Sequence, residues 1–220
     1  MTADISEIIQ NGILFDMKNW ENLSSNTDNL PAIIDRLFLI MQERNIDYLL
    51  VGGVALLSYI EGRNTQDIDL IMAKTDLNYV PEIQIIEENK DFAFGQFNNL
   101  RVDLLFTQNS LFDTVIKNCV AERQFGDRLV KCVTVEGLIL LKLYALPSLY
   151  RQGQFSRVSI YENDILLLML NYNIDISHLF QTLTPHVLVT DLQEIQNAVA
   201  DIQARIQRFQ AQKRNLDGSE

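Results

Sequence analysis

The spacing of apolar positions changes period several times along the chain, and each change marks a new element. Ile34, Leu37, Phe38 and Met41 recur at the i, i+3, i+4, i+7 steps of a helix face. Pro31 near the start and Asp28 and Asn29 as cap candidates predict a helix that runs to about Arg44. Asn45 ends it, and the run Tyr48 to Val51 predicts a strand. A short helix from Gly53 to Tyr59 leads through Gly62 into a second strand. There Asp67 and Asp69 alternate with Ile68 and Leu70. Thr75 to Asn89 reads as a turn and a helix. Phe92 to Phe94 and Arg101 to Phe106 read as paired strands around Gly95 and Asn98-Asn99. Ahead of all this, residues 1–29 form an arm, with a short helical pattern at Ile5, Ile8 and Ile9 and a polar stretch from Glu21 to Asn29.

From Thr134 onward the periodicity is helical. Leu138, Leu141 and Ala145 line one face of a first helix, with Lys142 beside the stripe. Tyr150 to Ser156 reads as an exposed loop, and Tyr161 to Asn171 as the next helix. Asp191 is expected to cap a long last helix. In it Leu192, Ile195, Val199, Ile202, Ile206 and Phe209 recur at steps of three and four. That seam has two readings: an amphipathic helix docked on its own domain, or a homodimer or partner helix. The fold class is therefore α+β, a small mixed sheet flanked by helices with a C-terminal helical part. The expected organisation is an arm at 1–29, a core at 30–133 and a helical region at 134–220 packed on that core.

Composition narrows the function classes. A chain of 220 residues, 47% of them hydrophobic, is long enough to bury one good-sized core. No apolar run reaches the ~18 residues of a membrane span, and the start MTADISEIIQ lacks a signal-peptide pattern. Cys119 and Cys132 have no metal-type spacing and read as plain thiols of a reducing cytoplasm. A net charge of −11 disfavours an extensive nucleic-acid surface, which needs clustered Lys and Arg. His178 and His186 have no carboxylate spacing that suggests a metal.

The chemistry concentrates between Tyr48 and Met72. Asp67 and Asp69 share one strand face, roughly 6–7 Å apart, as hard oxygen donors suited to Mg²⁺. Gly52 and Gly53 open a helix whose backbone N–H groups favour phosphate. A third carboxylate, Asp103, sits just inside the strand Arg101 to Phe106, where a metal or cationic partner would offset its burial. Three carboxylates suffice for a two-metal arrangement.

Together the Gly52-Gly53 turn, the run Arg63-Asn64-Thr65-Gln66-Asp67-Ile68-Asp69-Leu70 and the strand Val102 to Phe106 resemble the nucleotidyltransferase superfamily, which shares the fold of DNA polymerase beta. Within it the chain looks most like the abortive-infection (AbiEii-type) toxins of toxin–antitoxin systems and small relatives. Such proteins follow the third acidic strand with a helix, a hairpin and a Glu-hydrophobic-Lys-Leu helix. That order appears here as Ser110 to Asn118, Leu129 to Val133 and Thr134 to Leu143. Ile160 and Tyr161 stand where related toxins carry a Lys-Asp pair, and Gly53 stands where many members carry Ser.

The resemblance implies a Mg²⁺-dependent enzyme that moves an NMP from an NTP to a hydroxyl of an unidentified acceptor (protein, RNA end or small molecule). Asp67, Asp69 and Asp103 would be catalytic and hold two Mg²⁺ ions. Gly52 and Gly53 would cradle phosphate, Lys142 and Arg63 would neutralise the leaving pyrophosphate, and Thr65 would orient the turn. The alternative is a fold kept as a non-catalytic scaffold or partner-binding module.

Overall fold

The computed structural model describes residues 4–9, 30–60, 65 and 67–217, with side chains as far as 213. Arg63 lies outside the described residues, as does most of the N-terminal arm. The chain divides into two compact units, Met1–Thr134 and Val135–Glu220.

In the first unit a helical turn, α1 (residues 5–9), precedes helix α2 (Leu30–Glu43). Strand β1 (Tyr48–Val51), the short helix α3 (Gly52–Leu56) and strand β2 (Asp67–Met72) follow. Then come β3 (Gln84–Glu88), β4 (Phe92–Phe97), β5 (Leu100–Phe106), α4 (Ser110–Asn118), β6 (Val120–Phe125) and β7 (Arg128–Val133). One seven-stranded mixed sheet has the order β3-β4-β5-β2-β1-β7-β6. β2 with β5 and β1 with β7 are parallel, and the other neighbours are antiparallel.

α2 buries Ile34, Leu37, Phe38 and Met41, the stripe its spacing predicts. Phe38 stacks on Tyr48 and meets Phe125 edge-on, which ties the helix to two strands. Arg128 forks onto Asp35 of the same helix, at 2.5 and 3.1 Å. Ile68, Leu70, Val102, Leu104 and Phe106 alternate into this core and are fully buried. The odd-numbered positions of β2 and β5 consequently look to the other face. That single parity decision positions the site.

One expected element is corrected. Thr75 to Asn89 holds no α-helix: a 3-10 segment, Lys74–Tyr79, precedes the edge strand β3, whose residues are all exposed. The reason is a pairing that periodicity does not show, since β4 offers a free edge and Gly95 admits it. A Cβ at Gly95 would lie 2.5 Å from the Gln84 carbonyl oxygen.

The second unit contains α5 (Val135–Arg151), α6 (Phe155–Asn171), α7 (Ile176–Leu183) and α8 (Val189–Asp217). Three details differ from expectation. The buried face of α5 runs through Leu138, Ile139, Lys142, Leu143 and Leu146 rather than Leu138, Leu141 and Ala145. A helix so uniformly apolar gives its periodicity little to discriminate. α6 begins at Phe155 instead of Tyr161, leaving only a brief loop after Arg151. α8 begins at Val189, so Asp191 sits in its first turn and bonds Arg151 at 2.7 Å rather than capping. Ile195, Val199 and Ile202 of the seam are buried where α8 packs on α5 and α6, whereas Phe209 is 53% exposed. The part of the seam from Ile195 to Ile202 thus docks on its own unit. No described helix is long and apolar enough to cross a membrane.

Candidate functional site

The site is built from the period-2 alternation of two adjacent strands. β2 and β5 run parallel in the register Asp67↔Arg101, Ile68↔Val102 and Asp69↔Asp103. Strand neighbours lie roughly 4.8 Å apart, so Asp69 and Asp103 stand side by side and Asp67 lies two residues along the same face. The structure therefore brings the three sequence-selected carboxylates onto one face. Arg101 completes a square of charged positions there, and sequence reasoning gave it no role. Its signal was available: it shares parity with Asp103 on an alternating strand.

Each carboxylate has its own surroundings. Arg101 Nε donates to Asp103 Oδ1 at 2.8 Å and its Nη2 to Oδ2 at 3.2 Å, a bidentate fork. The guanidinium lies over the Phe94 ring, 5.0 Å from its centroid. The Asp103 bond, and after it the charges of Asp103, Asp67 and Asp69, hold Arg101 above its ordinary pKa range against partial desolvation. Asp67 Oδ1 accepts from the Thr65 hydroxyl at 2.8 Å. Asp69 Oδ2 accepts from the Gly53 N–H at 3.4 Å, a long bond.

The diglycine sits directly against these groups. β1 ends at Val51, opposite Asp69, and the chain turns at Gly52 with φ +65°. A Cβ on Gly52 would lie 1.9 Å from Asp69 Oδ2, and one on Gly53 would lie 2.5 Å from Thr65 Oγ1. Neither position tolerates a side chain while its neighbour stays where it is.

Lys142 belongs to the second unit, and there its ammonium bonds Asp164 Oδ2 at 2.9 Å. The pair is buried, Lys142 at 6% and Asp164 at 1% exposure, with the ammonium also 4.5 Å from the Tyr161 ring centroid. Tyr161 therefore shares in holding this ion pair.

The carboxylate face has the right donors for a hard divalent cation, oxygen atoms from three aspartates on adjacent backbone positions. As the side chains stand, the described residues include no three His, Cys, Asp or Glu groups close enough to enclose an ion. Arg101 supplies Asp103 with its countercharge instead. The donor set fits Mg²⁺, on the condition that Arg101 yields Asp103.

No family model matches the sequence, and no curated protein matches it. Among solved structures, an antigenic nucleotidyltransferase-like protein from Paracoccidioides brasiliensis aligns with a TM-score of 0.54 at 16% identity, covering 84% of this chain and 91% of its own. At that identity the likeness shows the fold alone: a nucleotidyltransferase-like architecture. Two structures of the antibiotic-resistance factor ANT(2'')-Ia are more distant. A solution structure aligns at TM-score 0.48 and 14% identity, covering 83% of this chain and 97% of that one. A crystal structure with adenylyl-2''-tobramycin gives 0.49 and 13%, covering 80% and 97%.

Proposed function

We infer that this protein is a Mg²⁺-dependent nucleotidyltransferase that moves an NMP from an NTP to an acceptor hydroxyl. What carries the reading is the register pair Asp69↔Asp103 with Asp67 on the same face, beside a positive-φ diglycine turn. The nucleotidyltransferase-like fold supports it independently of the site residues.

In this reading Asp67 and Asp69 hold the cation that accompanies the triphosphate, and Asp103 completes the second cation position. Bound Mg²⁺ supplies charge neutralisation for the triphosphate and a lowered pKa for the attacking hydroxyl. Gly52 and Gly53 present backbone N–H groups to phosphate oxygens, the Gly53 N–H once its long bond to Asp69 is released. Arg63 contributes a positive charge toward the leaving pyrophosphate. The acceptor is a protein, an RNA end or a small molecule, and membership of a toxin–antitoxin pair belongs to the same proposal. With −11 net charge, attraction of a nucleotide depends on the cation rather than on the protein's own field.

The test is thermal unfolding with each NTP and Mg²⁺, together with pyrophosphate release. A rise in Tm with at least one NTP, lost in Asp69→Asn and Asp103→Asn, is expected. No rise with any nucleotide sinks the proposal. A second reading, a non-catalytic scaffold, draws on the Arg101 fork that already neutralises Asp103. Nucleotide binding without pyrophosphate release in any acceptor extract favours it.

A further inference from the structure

The two glycines and Thr65 interlock with the carboxylates in a way that gives each a separate task. Gly52 leaves the space into which the Asp69 carboxylate presses, since its missing Cβ would stand 2.3 Å from Asp69 Cγ. Gly53 leaves the space filled by Thr65, whose Oγ1 and Cβ would lie 2.5 and 3.0 Å from an added Cβ. Thr65 in turn spends its single hydroxyl proton on Asp67, at 2.8 Å to Oδ1 against 3.3 Å to the Asp67 carbonyl oxygen. Gly53 lies within the short helix after β1 and Thr65 just before β2, so the contact joins the two ends of the connection that carries the motif.

We propose that Gly53 and Thr65 form a positioning pair, in which the missing side chain of Gly53 seats the Thr65 hydroxyl and that hydroxyl aims the Asp67 carboxylate. This rests on the nucleotidyltransferase reading for its purpose, because an aimed carboxylate matters when a cation must be held. It assigns the second glycine a steric task toward Asp67 that is distinct from receiving phosphate. A serine there would force Thr65 to shift for the same reason, since its Cβ would lie 2.5 Å from Thr65 Oγ1. Thr65 touches no reacting atom; its effect passes through Asp67. Hydrogen-bonding partners behind a metal ligand typically change metal affinity ~10- to 100-fold when removed.

The experiment uses the full chain and two readouts: the ¹³C carboxyl resonance of Asp67 without metal, and Mn²⁺ affinity by titration. Thr65→Val keeps the shape and removes the donor, so the Asp67 resonance should move and Mn²⁺ affinity should fall about tenfold. Thr65→Ser restores both. Gly53→Ala should weaken Mn²⁺ binding to a similar degree. The Gly53→Ala, Thr65→Ala double variant should be no weaker than Gly53→Ala alone, because both act through one contact. An Asp67 resonance unmoved in Thr65→Val overturns the positioning pair. If that resonance moves while wild type takes up no Mn²⁺, the pair stands and the nucleotidyltransferase reading falls. The valine and serine variants keep the question answerable should Gly53→Ala fail to fold.

Discussion

Arg101 lies on the same face as the three aspartates, bonded to one and raised in pKa by all of them. A divalent cation at Asp69 and Asp103 must compete with this guanidinium, whose side chain is more than half exposed. Arg101→Gln should therefore tighten Mn²⁺ binding in the nucleotide-free protein by about two- to fivefold, the scale of an exposed ion pair. Metal titration of the variant checks this, and unchanged or weaker binding counts against the competition. Lys142 and Asp164 are the opposite case, a pair out of reach of solvent. Lys142→Met leaves a buried carboxylate without its cation and should cost ~3–5 kcal/mol in urea unfolding. Adding Asp164→Leu should return most of that loss, because it removes the stranded charge.

At the scale of elements, what was legible depended on whether a segment's structure is decided locally. The strand pair around Asn98-Asn99 and the alternation of β2 follow from residues close in sequence, and they form as their patterns predict. β3 does not. Its residues Gln84–Glu88 suit helix or strand, and the choice is made by the open edge of β4, with a register shift between Ile85 and Glu87. Gly95 was the overlooked clue, since a glycine inside a strand marks close backbone approach. Gly95→Ala should push β3 off this edge. Amide exchange over Gln84–Glu88 should quicken, with a loss of about 1–3 kcal/mol, while the carboxylate face on β2 and β5 keeps its Mn²⁺ affinity. Protection of those amides in the variant equal to wild type would refute the account.

Across the whole molecule, alkaline pH reaches groups in both units, with Cys132 and Tyr48 buried in the first and Tyr150 partly exposed in the second. Burial pushes the Cys132 thiol up to about 11 and the Tyr48 phenol up to about 12. Tyr150 is raised to about 12 by burial and by its hydrogen bond to Glu162. All three keep their protons to higher pH folded than unfolded, so above about pH 9 the unfolded state binds fewer protons. Stability then falls as pH rises, with Cys132 acting from pH 9 to 11 and the tyrosines from 10 to 12. Urea midpoints at pH 8 and pH 10.5 should differ, and Cys132→Ala should shrink the difference. A midpoint unchanged between those pH values would contradict this.

The candidate site was legible in part for the same physical reason as the fold. Period-2 geometry is intrinsic to a strand, so Asp67 and Asp69 had to share a face whatever lay beside them, and a diglycine before a helix had to make a tight turn. Which strand would lie next to β2, and in which register, is a long-range choice that no local window contains. Parallel pairing with β5 sets Asp103 against Asp69 and carries Arg101 onto the same face, while antiparallel pairing of β1 with β2 brings Gly53 against Thr65. Burial of Lys142 on Asp164 is likewise a product of two helices meeting, because an apolar helix can bury any of its faces until a partner supplies a charge. The chain alone specified the groups and their parity. Only the packed structure decided which of them face one another.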